Sequence, residues 1–216
     1  MGQKVHPYSF RLGSQFTWKS RWFALGGEYR KLLQQDVQIR KFLFEKLRPA
    51  GLVDVEIERS IKRIMIKVLV SRPGVVIGRG GSGIAELRSN LEKLLKPANN
   101  ANKLQIELNV EEIKIPELSA YLMALRISDQ ITKRMPHSRV IKKVMENVMN
   151  SGALGIKVQL SGRINGADIG RTEQFSKGSV PRQTLRADID FAREPIYTKS
   201  GYVGVKVWIH KPITTN

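Results

Sequence analysis

Cysteine is absent from this chain of 216 residues, which excludes a disulfide framework and any thiolate metal site. Histidine is scarce, and His6, His137 and His210 stand too far apart for the usual spacing of metal ligands. No apolar run approaches the ~18 residues that a membrane span requires, and the N-terminal residues lack the apolar segment of a secretion signal. The sequence therefore predicts no metal, no catalytic residues and no membrane insertion.

Acidic residues are about half as common as basic ones, 19 against 37, giving a net charge of +18 and an isoelectric point near 10.4. The excess is uneven along the chain. Residues 1–50 carry ten basic and three acidic side chains, residues 136–186 carry nine and three, and residues 51–115 carry eleven and eight. A charge of this sign and size indicates a polyanionic partner, and its concentration in two blocks favours a folded RNA held by several surfaces.

The hydrophobic pattern predicts two domains of mixed helix and strand, an α+β class. We expect a basic arm and the start of a helix at 1–38, a first domain at 39–111, a second at 117–211, and a short tail at 212–216. Within them the pattern predicts helices near 28–47, 82–95, 117–134 and 138–149, strands near 52–59, 64–70, 104–110, 156–161, 185–191 and 203–209, and a polar loop at 96–102.

The most informative motif is the glycine-rich stretch Val76–Ile84, in which Gly78, Arg79, Gly80 and Gly81 precede a helix. Glycines permit a tight turn and a close partner, and the free amides at a helix start favour an anion. The expected ligand is therefore a phosphate, either of a nucleotide or of a nucleic-acid backbone.

Three known phosphate loops can be compared with this stretch. It matches the dinucleotide pattern GxGxxG, with Glu107 as a candidate ribose ligand, but a full strand before the loop and a second βαβ half are missing. The nucleotide P-loop is excluded because Ile84 and Ala85 stand where Lys and Ser or Thr are required. A GxxG corner between two helices beside a small sheet is instead typical of a KH domain, which clamps about four nucleotides.

Further basic residues are expected to contact RNA outside this loop. Arg139, Lys142 and Lys143 lie opposite the apolar stripe of the helix near 138–149, with Ser138 as its expected N-cap. Lys157, Arg163 and Arg186 occupy polar positions of the predicted C-terminal strands, Arg171, Lys177 and Arg182 fall in an intervening loop, and Lys4 and Arg11 belong to the arm. For the strand and loop residues, pairing with neighbours such as Asp188 and Asp190 is the alternative.

Several blocks along the chain resemble one family, the KH-containing ribosomal proteins that stand third in the series of the bacterial-type small subunit. The blocks include Met1–Pro7, 10–13, 20–23 and 39–42 before the KH segment, and 155–158, 161–163, 171–173, 185–190 and 204–209 after it. The resemblance runs nearly from end to end, with Ser138 standing where the family commonly has a basic residue.

This resemblance implies a structural protein of the small-subunit head with a KH domain of the prokaryotic type, and no enzyme activity or cofactor. The implied partners are small-subunit rRNA, mRNA at the entry channel through the Ser138–Lys143 segment, and neighbouring head proteins. A ribosome-bound location in the bacterial cytoplasm is implied, or a plastid. The alternatives are a free KH regulator of mRNA and a nucleotide-dependent enzyme that uses the glycine loop.

Overall fold

The computed structural model describes residues 4–60, 63–95 and 105–212. The chain forms two compact units. The central unit is Trp18–Lys114, and the terminal unit combines Met1–Thr17 with Ile115–Asn216. In chain order the elements are α1 (Pro7–Phe10), β1 (Ser20–Arg21), α2 (Gly26–Lys46), β2 (Leu52–Arg59), β3 (Arg63–Val70), α3 (Pro73–Ile77), α4 (Ser82–Leu94), β4 (Gln105–Glu112), α5 (Ala120–Thr132), α6 (His137–Asn150), β5 (Gly155–Gly162), β6 (Arg171–Gly178), β7 (Ile189–Thr198) and β8 (Gly201–His210).

The central unit contains a four-stranded sheet in the order β1-β2-β3-β4. Strands β2 and β3 form the antiparallel hairpin that their spacing predicts, whereas β1 and β4 join as parallel edge strands. Helices α2 and α4 bury Ile39, Leu43, Leu87 and Leu91 in a common core with the sheet. This core fixes the start of α4, and with it the position of the glycine loop.

The terminal unit contains a second four-stranded sheet in the order β6-β5-β8-β7, with every pairing antiparallel. Helices α5 and α6 cover one face of this sheet, here called the inner face, where alternate residues of β5 such as Val158 are fully buried. On the outer face a smaller cluster forms around Ile189 and Trp208. The α+β class with two domains is confirmed.

Residues 4–20 are more folded than the basic arm that the sequence predicts. Residues Pro7–Phe10 form the short helix α1, and the ring of His6 meets Phe191 of β7 edge-on, with 4.9 Å between ring centroids. From Trp18 the chain belongs to the central unit, where β1 pairs with β2. The aromatic and basic residues of this segment therefore serve packing as well as charge.

Two strand predictions were wrong in the C-terminal half. Residues Arg171–Gly178, expected in a loop, form strand β6, an edge strand whose polar residues gave no alternating signal. The strand expected at 185–191 begins only at Ile189, so Arg186 lies in the preceding loop. An exposed edge strand buries little on either face, which is why its hydrophobic pattern is weak.

Two helix starts also differ by a few residues. Pro116 begins a short 3-10 turn, and Ser119 is the true N-cap of α5, its side chain accepting a hydrogen bond from the Leu122 amide. Helix α6 begins after Pro136, so Ser138 is inside the helix rather than its cap. The loop expected at 96–102 and Leu104 of the third predicted strand lie outside the described residues. None of the helices in the described ranges is long and apolar enough to cross a membrane.

Candidate nucleic-acid interface

The glycine loop lies between two helices. Helix α3 ends at Ile77, Gly78 turns the chain with φ 69° and ψ −177°, and a single 3-10 turn at 79–81 leads into α4. Because a short helix rather than a strand enters the loop, the geometry differs from the dinucleotide-binding motif, in which the loop follows directly from a strand. It is the helix–loop–helix that the KH interpretation predicts.

The four glycines of the loop have different tasks. A Cβ at Gly83 would lie 2.4 Å from the Val76 carbonyl oxygen, and one at Gly78 would lie 3.0 Å from the Gly83 amide nitrogen, so these two glycines allow α3 and α4 to approach closely. Gly80 and Gly81 have positive φ values of 62° and 79° but open space around them. The open pair is the part of the loop that a ligand can approach, and sequence reasoning did not separate the two pairs.

The surroundings of the open pair suit an anion. Helix α4 has no side-chain cap and no acidic residue in its first turn, so the positive end of its dipole is uncompensated there. Arg79 in the loop and Arg72 at the start of α3 are exposed, and Val75 and Ile77 of α3 expose 57% and 40% of their surface. Cations next to exposed apolar side chains can hold a phosphate and a base together.

Helix α6 presents the second candidate surface. Its inward face buries Val140, Ile141, Val144 and Val148. Arg139, Lys142 and Lys143 are exposed, and within the described part of the chain none of the three forms an ion pair. The prediction that these three basic residues lie on the outward face of the helix is therefore confirmed.

The first residue of α6 is held by two neighbours. The His137 Nε2 atom lies 2.8 Å from Glu173 of β6, and its Nδ1 atom lies 3.1 Å from the side-chain oxygen of Asn165. These contacts fix the start of the basic helix against the sheet, so Arg139 is carried on a rigid element. Nothing in the sequence pairs these three residues.

A third basic cluster lies on the outer face of the terminal sheet. Lys157 stands opposite Trp208 in the β5–β8 register, and the Arg182 guanidinium lies 5.8 Å from the centroid of the Trp208 ring. Burial lowers the pKa of Lys157, and the nearby cations Arg182 and Lys4 lower it further. The structure therefore brings Lys4, Lys157 and Arg182 together as neighbouring like charges, an arrangement that a phosphate would stabilise.

The outer face extends this cluster with a residue that sequence reasoning missed. Arg193 of β7 stands directly opposite Lys206 of β8, and like charges in that position repel each other. Arg193 follows the buried Ala192 in a strand whose start was misplaced, so its face could not be assigned from the pattern. Together these residues make a cationic strip along the sheet.

Arg11 is a correction to the predicted contacts. Its side chain is fully buried, its Nε donates to the Ala187 carbonyl at 2.8 Å, and its Nη1 donates to that of Pro7 at 2.9 Å. Its Nη2 donates to carbonyl oxygens of the loop before β7, those of Thr184, Arg182 and Pro181. A guanidinium engaged in this way cannot bind a phosphate, and its role is to hold that loop.

Of the remaining predicted RNA contacts, two are engaged with other protein groups and two are exposed. Arg163 donates to the carbonyls of Ala167 and Ser200 and pairs with Asp168, so it mainly fixes a turn. Arg171 pairs with Glu173 at 2.7 Å. Lys177 on β6 and Arg186 in the loop are exposed. We therefore expect Lys177 and Arg186 to be available to RNA, and Arg163 and Arg171 to be available only in part.

No cluster of three or more His, Asp or Glu side chains suited to a metal occurs in the described ranges. The charged groups of the interface are cations on exposed faces, and their arrangement suits binding to a polyanion.

Comparison with known proteins agrees with this geometry. Residues 38–118 match the family model described as KH domain, and residues 127–209 match that described as Ribosomal protein S3, C-terminal domain. The small ribosomal subunit protein uS3 of Persephonella marina is 49% identical over 98% of this chain and 90% of its own length. Those of Caldicellulosiruptor saccharolyticus and Clostridium novyi are 47% and 42% identical over 98% of this chain, and over 92% and 93% of their own lengths.

Relatives at this identity, aligned over nearly the full length of both chains, share the whole two-domain arrangement and not only the glycine loop. Both family models fall on the parts of the chain where the structure has its two sheets. This chain belongs to the uS3 family of small-subunit ribosomal proteins and contains its RNA-binding KH domain.

Proposed function

We propose that this protein is a structural constituent of the small ribosomal subunit that binds small-subunit rRNA and contacts mRNA as it enters. The observation that carries RNA binding is the open pair Gly80–Gly81 beside Arg79 at the uncapped start of α4. Family membership supports the assignment to the small subunit. The work is binding and positioning, without covalent chemistry.

The proposed roles of the surfaces follow from their shapes. The glycine loop grips the backbone of single-stranded or looped RNA, as the GxxG loop of a KH domain clamps about four nucleotides. The outer-face cluster of Lys4, Lys157 and Arg182 holds rRNA phosphates, and the exposed Lys177 and Arg186 add further phosphate contacts. The exposed residues Arg139, Lys142 and Lys143 of α6 contact mRNA. Neighbouring proteins of the subunit head complete the set of partners, and the protein works on ribosomes of the bacterial cytoplasm.

The first test changes the charge of the glycine loop without changing its packing. In the full chain, Gly80 and Gly81 are both replaced by Asp, and the control replaces both by Asn. Asn and Asp tolerate positive φ about equally and meet open space here, so the two variants differ mainly in charge. We expect the Asp variant to bind a short single-stranded RNA about tenfold or more weakly than the Asn variant.

Equal affinities of the two variants would show that the loop is structural only. Gly78 is unsuitable for this test, because its Cβ would approach the Gly83 amide and confound binding with folding.

The second test concerns assembly. The tagged full chain is expressed in bacteria, and small subunits are sedimented after a high-salt wash. A ribosomal constituent stays with the subunit because many contacts hold it, and a free mRNA regulator is removed because its electrostatic contacts are screened. Recovery of the protein in the wash supernatant would contradict the proposed function.

A further inference from the structure

A cleft of about 680 Å³ opens at one end of the terminal sheet. The turn between α5 and α6, the end of β5 with the turn after it, and the β7–β8 hairpin surround it. The volume is in the range of pockets that bind small ligands. None of the surfaces described above includes this cleft.

The lining of the cleft has two parts. Its floor is apolar and includes Ile131, Leu160, Ile164 and Val203. Its polar rim includes three cations, Arg134, Arg163 and Lys199, and no Asp or Glu is among the lining residues. An apolar floor under a cationic rim suits a ligand that is flat and apolar at one end and anionic at the other.

The cations of the rim are not equally available. Arg163 is committed to Ala167, Ser200 and Asp168. Arg134 and Lys199 are exposed, and within the described residues neither forms an ion pair. These two are therefore the groups that can receive a phosphate.

The backbone at the rim adds an independent observation. In the described residues, the non-glycine positions with positive φ are Arg134, at 60°, and Asn165, at 56°, and both line this cleft. Arg134 follows the last turn of α5, where glycine is the usual residue because it adopts this conformation without strain. A cation thus occupies a strained backbone position that glycine would adopt without strain. Strained positions of this kind are common at binding sites.

An exposed aromatic ring stands at the same place. Tyr197 lines the cleft, is 69% exposed, and meets Tyr202 with 4.0 Å between ring centroids. Exposed tyrosines beside a cationic rim are the side chains on which bases of single-stranded RNA stack. The cleft also adjoins the start of α6, since Pro136 and His137 line it and Arg139 follows on the exposed face.

We infer that this cleft holds one nucleotide of a single-stranded RNA. The base lies on the apolar floor beside Tyr197, and the phosphate lies between Arg134 and Lys199. The strand then continues along Arg139 and Lys142 of α6. The inference rests on the proposed function, because it assumes that the protein binds RNA, and it adds a site that neither the KH loop nor the α6 face contains.

The test uses the full chain and a fluorescent single-stranded octauridylate RNA. The variant carries Arg134→Gly and Lys199→Ser, which removes both free cations and, at residue 134, relieves the backbone. The matched control carries Arg126→Gln and Lys133→Gln, an equal loss of charge at exposed positions outside the lining. We expect about tenfold weaker binding by the variant than by the control.

Photocrosslinking shows where the RNA lies, so it separates binding in the cleft from binding at the other RNA surfaces. The same RNA with one 4-thiouridine is photocrosslinked to the protein, and the crosslinked peptides are mapped by mass spectrometry. We expect crosslinks within residues 131–137, 160–166 and 197–203 in the wild type and the control, and their loss in the variant. Tyr197→Leu should weaken binding about fivefold, since stacking on the ring is lost.

Two outcomes would overturn the inference. Crosslinks confined to the glycine loop and α6, with equal affinities of variant and control, would leave RNA binding intact but remove the cleft from it. Competition by free uridine monophosphate as strong as that by the oligonucleotide would mean that the cleft takes a free nucleotide. If the wild type binds no RNA at all, the proposed function itself fails.

Discussion

Arg59 donates from both Nε and Nη2 to a single carboxylate oxygen of Asp36, at 2.8 and 2.6 Å, and both side chains are almost completely buried. The other carboxylate oxygen accepts hydrogen bonds from the hydroxyl of Ser20 and the indole of Trp22. Asp36 of α2 therefore joins the segment around β1 to the end of β2. This buried network holds residues 18–22 on the central unit.

Asp36→Ala should destabilise the central unit by about 3–5 kcal/mol, because it leaves the Arg59 charge buried without a carboxylate, with Gln35 as a neutral hydrogen-bond partner. The measurement is hydrogen exchange of the α2 amides, followed by mass spectrometry on peptides from Gly26–Lys46. The control is Glu92→Ala, which removes an exposed pair with Arg88 and should cost at most about 0.5 kcal/mol. Similar exchange in the two variants would mean that the buried pair contributes no more than a surface pair.

Arg11→Lys should loosen the loop between β6 and β7. A lysine ammonium has three donors in a different geometry and cannot replace the donors that Arg11 directs to the carbonyls of Ala187, Pro7 and the loop residues Pro181, Arg182 and Thr184. Loss of these bonds should cost about 2–4 kcal/mol. Faster amide exchange within residues 179–188 would be the signature. Arg186→Gln, an exposed change in the same loop, is expected to leave that exchange unchanged, and equal protection in both variants would contradict the proposed role of Arg11.

Asp188→Asn should increase stability at neutral pH. Burial raises the pKa of Asp188 above its ordinary value of 3.8, and Asp190 raises it further, although Lys211, His210 and Arg11 oppose them. A carboxyl whose pKa is raised on folding binds its proton more tightly in the folded state, so its contribution to stability falls as the pH rises through and above 3.8.

Thermal unfolding between pH 4 and pH 7 can check this sign. The melting temperature of the Asn variant should exceed that of the wild type at pH 7, and the difference should shrink towards pH 4. A variant that is less stable than the wild type at pH 7 would show that the charge of Asp188 is needed by its cationic neighbours.

Replacing Arg139, Lys142 and Lys143 by Ala should affect RNA binding and not folding. All three side chains are exposed and none forms an ion pair in the described structure, so the free energy of unfolding should change by about 0.5 kcal/mol per residue at most. The salt dependence of single-strand binding should become shallower by about 0.7 for each phosphate that the variant no longer neutralises.

In a reconstituted translation system, subunits that contain this variant should translate messages with a hairpin ahead of the ribosome more slowly than they translate unstructured messages. Equal rates on the two kinds of message would remove α6 from the mRNA-binding surface. An unchanged salt slope would remove it from RNA binding altogether.

Local patterns were sufficient for much of the fold. Helix α6 and strand β5 were predicted within a residue or two, because their apolar residues repeat with the period of a half-buried element. Strand β6 was missed because only Phe175 supplies an apolar residue at its centre. The start of β7 was misplaced because Leu185 continues the alternation but is half exposed in the loop.

The residues of the candidate site were predicted correctly only where their position depends on the local sequence. The glycine loop and the basic face of α6 are local features, so their spacing alone placed them correctly relative to their helices. Arg11 looked like one more basic residue of an arm, and nothing near it in the chain indicates that its partner is 176 residues away. Arg193 and Arg134 were overlooked because their settings depend on strand pairing and on one backbone angle.

The sequence by itself determined the class of partner, the two α+β domains and the position of the phosphate loop, because net charge, periodicity and glycine spacing act locally. The tertiary structure alone decided which charges face solvent. It buried Arg11 and Asp36, it separated the packing glycines 78 and 83 from the open glycines 80 and 81, and it placed Arg134, Tyr197 and Lys199 around one cleft. Burial of a charged group depends on partners distant in the chain, and a one-dimensional pattern does not contain them.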